Sequence, residues 1–269
     1  MHDQRRPLIL VTNDDGIAAG GLRALVDVAR RHGDVVVVAP DSPQSGQGHA
    51  ITLEEPLRVY PVDVFPGIEA YECSGTPVDC VKLAKHVVTA DRQIDFCVSG
   101  INHGSNAGVN VIYSGTMSAA MEASLEGIPS IGFSLLDFAH DADFSPALPY
   151  VDALLAYGLE HGLGGTRLLN VNIPHGKEEP IRGIRVCRQA DARWIEEFQR
   201  GEDPMGRPYY WLTGRFVPND IVEGTDIYAL DRHYVSVVPC GHDLTHYDSL
   251  PALRAVESLA TATSEPVSA

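Results

Sequence analysis

The sequence predicts a three-layer α/β fold: a Rossmann-like, mostly parallel sheet with helices on both faces and a β-rich extension at its C-terminal end. Three observations carry that expectation. Short apolar runs lack the polar alternation of a half-exposed sheet, which marks strands buried on both faces. Amphipathic stretches of helical period separate these runs. After about His175 the alternation gives way to charged, Gly-rich and Pro-rich segments around isolated strand-like pieces. The division expected is an α/β core over 1–175, an extension for oligomerisation over 176–260, and a flexible tail over 261–269.

Taken in order, residues 8–12 form a β-branched-rich strand, and residues 20–32 set Leu22, Leu25, Val26 and Ala29 at helical spacing. Residues 35–39 are a second apolar strand, ended by Pro40. Thr76-Pro77 opens a helix to about Val88, with an N-cap hydroxyl, proline in the first turn and Asp79 near the positive end. A third strand is read at 94–98, a helix at 116–126 stopped by Gly127, a strand at 129–133, a helix around 147–161 and a strand at 168–173. The segment 51–73 breaks this rhythm, and alternation at 57–62 marks an antiparallel strand inserted between units. Beyond 175, strand-like pieces at 181–187, 209–212 and 234–238 precede one helical stretch near 250–260.

Composition narrows the function. The chain has 269 residues, and 44% of them are hydrophobic, enough for a sizeable core. Its formal net charge is −16, which repels nucleic-acid backbones and anionic membranes, so neither a duplex nor a membrane is an expected partner. A phosphate ligand would need a metal ion or backbone donors. No stretch approaches the ~20 apolar residues of a membrane span, and the polar start has no secretory character. The five cysteines (Cys73, Cys80, Cys97, Cys187, Cys240) form no C-x-x-C pair, consistent with buried free thiols in a reducing cytoplasm.

In open parallel sheets, ligands sit beyond the C-terminal strand ends. Three loops there carry chemistry. Thr12-Asn13-Asp14-Asp15-Gly16 sets two carboxylates side by side. They repel unless a cation or donors neutralise them, and hard oxygen ligands suit Mg²⁺, Mn²⁺ or Ca²⁺. An Asx-type turn capping the next helix is the alternative. The loop 40–49 is rich in hydroxyls and glycines and is either a ligand loop or a mobile one. Its Gly46-x-Gly48 lacks the third glycine and the following helix of a dinucleotide fingerprint. The third loop, 99–110, leads through Tyr113 to Ser114-Gly115-Thr116 at a helix start, where free N–H groups and hydroxyls make either an anion site or an ordinary N-cap. P-loop, G-x-S-x-G and H-E-x-x-H motifs are absent. His49 and His103 lie in these loops as acid–base candidates or as plain hydrogen-bonding residues, while Trp194 and Trp211 read as packing residues.

Five segments together resemble the SurE family of stationary-phase survival proteins, metal-dependent 5′-nucleotidases. They are Val11 through Gly16, Ala39-Pro40-Asp41 with Ser45, Ser74 through Pro77 with Asp79-Cys80-Val81, Val98 through Asn102 with Gly104 and Asn106, and Ser114-Gly115-Thr116. The resemblance is strong over about 8–135 and looser beyond, where residues 137–148 and the tail after Ala252 follow no family pattern. It implies one divalent cation per subunit, Mg²⁺ or Mn²⁺, bound through Asp14, Asp15, Ser45 and Asn102. It also implies hydrolysis of nucleoside 5′-monophosphates, with 3′-monophosphates and short polyphosphate as further substrates. The family implies, too, a cytoplasmic homodimer or homotetramer that exchanges C-terminal segments.

With the residue reading, this gives hydrolytic displacement at phosphorus. The cation polarises the phosphoryl group and a bound water, Asp14 or Asp15 serves that water, and Asn13, Asn106, Ser114, Gly115 and Thr116 contact phosphate or substrate. A non-catalytic nucleotide-binding regulator and a sugar-nucleotide transferase are the alternatives from other classes. Phosphate release from AMP separates them.

Overall fold

The computed structural model describes residues 5–139, 141–177 and 179–261; the polar start at 1–4 and most of the expected tail, 262–269, lie outside them. Strand β1 (Leu8–Thr12), helix α1 (Gly20–His32) and strand β2 (Asp34–Pro40) come first, followed by β3 (Val59–Pro61) and β4 (Glu69–Cys73). Helix α2 (Pro77–Leu83) runs into a single π turn, Ala84–Val88. Then come β5 (Phe96–His103), α3 (Gly115–Leu125), β6 (Ser130–Leu135), α4 (Leu148–His161) and β7 (Leu168–Ile173). The C-terminal part contributes β8 (Gly183–Val186), β9 (Ala192–Glu202), β10 (Pro208–Pro218), α5 (Asp226–Leu230), β11 (Tyr234–Cys240) and α6 (Leu250–Leu253).

The main sheet has the order β3-β4-β2-β1-β5-β6-β7-β11-β8. From β4 to β7 its neighbours pair in parallel, while β3 and β11 run antiparallel to β4 and β7. Its central strands bury both faces, which explains the mostly apolar character of their runs. Ile9, Val11, Val37 and Val98 face the side covered by α1 and α4, with Leu22, Leu25, Val151 and Leu155. Leu8, Leu10, Val36, Val38 and Cys97 face the other, with Cys80, Val81, Ala119 and Ala123 of α2 and α3. The His32 ring bonds Asp152 at 2.7 Å and ties α1 to α4. All five cysteines are free thiols; Cys240 is half-buried and the others are buried.

Several elements differ from the sequence reading. Strand β5 runs on to His103 after a register shift beyond Ser99, so Asn102 sits on a strand end instead of in a loop. The helix opened by Thr76 has the expected cap, with Thr76 and Asp79 forming a reciprocal capping box, but its α segment stops at Leu83. Strand β4 was not foreseen: Glu69 and Glu72 give it a polar character that suits a strand near the sheet edge, covered only by the short β3. Strand β9 was missed for a related reason. Its charged run, pairing along its whole length with β10, forms a two-stranded ribbon outside the main sheet. The helical stretch expected at 250–260 is one α turn followed by a 3-10 segment, Arg254–Thr261.

The boundary expected at 175 does not divide the sheet. β11 returns to pair with β7, and β8 pairs with β11 on its far side. Among the described strands, β9 and β10 alone stand outside that sheet, as a ribbon with Phe198, Tyr210, Trp211 and Leu212 exposed along it.

Candidate functional site

Strand order reverses around β1, which lies between β2 on one side and β5 on the other. At such a switch point the loops leave the strand ends in opposite directions and open a crevice. A cleft of about 610 Å³ lies there, lined by Asp14, Ser45, Asn102, Asn106 and Ser114, together with His103, Asn110, Tyr113, Phe138 and Trp194. Four loops distant in sequence therefore meet at one place.

The acid pair follows β1 directly. Asp14 is only 4% exposed. The Thr116 hydroxyl donates to its Oδ1, and helix α3 can approach because Gly115 has no side chain: a Cβ there would lie 2.6 Å from Asp14 Cβ. Burial pushes the Asp14 carboxyl up to about 6, the Thr116 hydrogen bond opposes this, and the charge of Asp15 adds to it. Asp15 is also raised by burial, against the nearby His103. Its Oδ2 is buried without a hydrogen-bond partner among the described residues.

The neighbouring donors are held in place locally. The Gln44 N–H donates to the Asp14 carbonyl at 2.8 Å, drawing the loop that carries Ser45 against the acid pair. Farther along the same loop the His49 ring bonds Glu122 on α3 at 2.9 Å, and Lys82 donates to the other oxygen of that carboxylate. His49 is thus a loop staple on α3, and the cleft lining does not include it. Asn102 donates its Nδ2 to the carbonyls of His103 and Gly104, both at 2.9 Å, which leaves its amide oxygen as the free acceptor. His103 does border the cleft, its Nδ1 on the Ala139 carbonyl at 3.0 Å and its ring edge-on to Phe144.

Two expected substrate contacts are placed differently. Asn13 is buried and closes the turn after β1, donating to the Gly16 carbonyl at 3.0 Å and accepting from its N–H at 3.2 Å. Both ends of its amide are used in that turn, so the Asx turn and the acid pair are the same structure. Thr116 is fully buried with its hydroxyl on Asp14, which makes it a support for that carboxylate and not a lining residue. Ser114 does line the cleft; as N-cap it accepts from the Met117 N–H at 3.0 Å, leaving its own proton to donate. Gly115, the first helical residue, sits between that cap and Asp14.

The far wall was not legible in the sequence. Trp194, read as a packing residue, is about 43% exposed, donates its Nε1 to Asn110 at 2.8 Å and lies 5.7 Å from the Phe216 ring. With Leu212, Thr213 and Gly214 it brings the ribbon to the cleft, where Tyr113 and Phe138 add aromatic surface. Trp211 is exposed on the ribbon and packs on no core. Local pattern could not place a ribbon whose position depends on contacts with the loop after β5.

The donors fit a hard cation. Among the described residues no cluster of three or more His, Cys, Asp or Glu is placed to hold a metal. A cation here would rest on two carboxylates and neutral oxygens. Three features suit that: the orphaned Asp15 Oδ2, the Asn102 amide with its oxygen unspent, and two adjacent acids, Asp14 buried and Asp15 half-buried, with no basic side chain among the described residues bonded to either.

Comparison with known proteins identifies relatives along nearly the whole chain. A family model described as Survival protein SurE matches residues 9–196. The chain is 56% identical to the 5′-nucleotidase SurE of Cytophaga hutchinsonii over 248 residues, 92% of this chain and 96% of that one. It is also 56% identical to the 5′-nucleotidase SurE of Christiangramia forsetii, over 90% of this chain and 94% of its relative. The crystal structure of the SurE protein from Aquifex aeolicus superposes with a TM-score of 0.80 at 37% identity, covering 93% of this chain and all of that one.

Proposed function

The chain belongs to the SurE family and is a 5′-nucleotidase, a phosphatase of nucleoside monophosphates, and from that premise we propose that it works with one divalent cation held by Asp14, Asp15, Ser45 and Asn102. The observation that carries this reading is the buried, unpartnered Asp15 Oδ2 next in the chain to Asp14, a buried carboxylate that lines the cleft and lies against the N-terminus of α3. Bound there, Mg²⁺ or Mn²⁺ would neutralise the acid pair, polarise the phosphoryl group and acidify a water.

The rest falls to the chain's own side chains. Thr116 fixes the Asp14 carboxylate through its hydroxyl. The Ser114 hydroxyl and the N–H groups opening α3 receive phosphate oxygens, where the helix dipole favours negative charge. Asn106 offers the amide hydrogen not used on Ser134. Asp15 orients the attacking water. Tyr113, Phe138 and Trp194 form an apolar wall for the nucleoside, a surface that stacks on any base without reading its edges. That wall supports breadth among nucleotides, and 3′-monophosphates and short polyphosphate belong to the same proposal, as does assembly into a homodimer or homotetramer through the ribbon. No helix among the described residues is long and apolar enough to cross a membrane.

The decisive experiment is phosphate release from AMP by dialysed protein with Mn²⁺, with Mg²⁺ and with excess EDTA. We expect activity to vanish in EDTA and to return with either ion; full turnover in EDTA would overturn the metal assignment.

A further inference from the structure

Strand β7 is interior to the sheet, yet its sequence Leu168-Leu169-Asn170-Val171-Asn172-Ile173 sets two asparagines two residues apart, on one face. Both are buried, Asn170 at 2% and Asn172 at 0% exposure. A polar group in such a place is costly unless it is bonded, and here the bonds close a ring. The Asn106 N–H donates to Asn172 Oδ1 at 2.7 Å. Asn172 Nδ2 donates to Asn170 Oδ1 at 2.9 Å. Asn170 Nδ2 returns to the Asn106 carbonyl at 2.9 Å. The Asn106 side chain is held separately, its Nδ2 donating to the buried Ser134 Oγ on β6 at 2.8 Å.

Both backbone polar groups of Asn106, and its side chain, are therefore bonded by residues of the rigid sheet. Anchoring the loop after β5 alone does not call for that: Ser105 also reaches Asn172, at 3.3 Å, and the Gly108 N–H is bonded to Asp226 at 2.9 Å. What the ring adds is control of one residue whose side chain borders the cleft.

We propose that Asn172, with Asn170 and Ser134, is a positioning residue for substrate phosphate: the sheet aims the Asn106 amide at the phosphoryl oxygens through this closed ring. The inference rests on the reading of Asn106 as a phosphate contact. It assigns Asn172 no contact with substrate and no part in metal binding.

The test uses the full chain with Mn²⁺ and the variants Asn106→Ala, Ser134→Ala, Asn172→Ala and the double variant Asn106→Ala/Asn172→Ala. KM for AMP, the inhibition constant of inorganic phosphate and the Mn²⁺ dissociation constant are measured for each. Ser134→Ala removes one hydroxyl and covers the case in which Asn172→Ala does not fold. Each single variant should raise both KM and the phosphate inhibition constant about tenfold, the loss of one aligned donor, with Mn²⁺ affinity within twofold of wild type. The double variant should be no worse than Asn106→Ala alone, because both changes remove the same contact. If Asn106→Ala leaves phosphate inhibition unchanged, the phosphate reading of Asn106 fails and takes the proposal with it. If Asn106→Ala is impaired while Ser134→Ala and Asn172→Ala change only stability, or add to it in the double variant, the proposal alone is overturned.

Discussion

At the level of single residues the site is a bargain between Asp14 and its surroundings. Its carboxyl is raised from 3.8 to about 6, so the folded state binds that proton more tightly than the unfolded chain does. Without metal, this contribution to stability is fully present below pH 3.8 and is lost as pH rises through about 6. A shift near two units corresponds to roughly 3 kcal/mol at most. Asp14→Asn should therefore melt higher than wild type in EDTA at pH 7.5, with the gap closing towards pH 4; equal melting curves at both pH values would refute the strain. The same substitution should lower kcat at least ~100-fold, the scale of losing one preorganised electrostatic group. Thr116→Ala should act on the same property. Its hydroxyl lies on Asp14, so Mn²⁺ affinity should weaken and phosphate inhibition should change little. The opposite pattern follows from the sequence alone, where Thr116 reads as a phosphate contact. Motif spacing brought Asp14, Ser45, Asn102 and Ser114 to one cleft. It could not tell which hydroxyl in Ser114-Gly115-Thr116 faces that cleft, because this depends on how closely α3 docks.

Elements explain both what the sequence reveals and what it hides. Strands β1 and β2 are legible because burial on both faces demands apolar runs, and β6 and β7 because theirs are mostly apolar, interrupted by small Ser and Gly residues in β6 and by two asparagines in β7. Strands β4 and β9 are hidden because an edge or a ribbon tolerates charge, and their pairing partners alone define them. Helix α3 shows a further dependence: its first residue must be glycine for its N-terminus to reach the acid pair. Gly115→Ala should fold and lose most activity, with Mn²⁺ binding weakened, since the new Cβ must push Asp14 or α3 aside. Circular dichroism and metal titration check the two halves. In the proposed reading the ribbon, which lines one wall of the cleft, takes the nucleoside. Trp194→Ala should raise KM for AMP about 5- to 100-fold, the scale of about 1–3 kcal/mol for a stacked base, and leave inhibition by inorganic phosphate near wild type. Equal effects on both would mean that the wall also shapes the phosphate end.

For the whole molecule, a −16 chain that handles an anionic substrate must concentrate positive potential at one point, which helix α3 and a cation can do together. The ribbon raises a second demand. A two-stranded ribbon is at best marginal alone in water, and Phe198 and Leu212, opposite one another in its register, are both about 65% exposed. Phe198→Glu with Leu212→Glu should yield a lighter particle by light scattering, and an unchanged mass would exclude this face as a subunit contact. Assembly was the least legible level, since the residues after 175 serve two ends at once: β8 and β11 extend the sheet while β9 and β10 leave it. That arrangement also orders events on the ribosome. Among the described residues β8 pairs only with β11, which is made almost fifty residues later and must enter between β7 and β8. Until then the nascent chain carries an open edge at β7, the kind that recruits foreign strands. A premature stop before Tyr234 is thus more damaging than its position near the end suggests, and such fragments should accumulate as aggregates or be cleared by proteases.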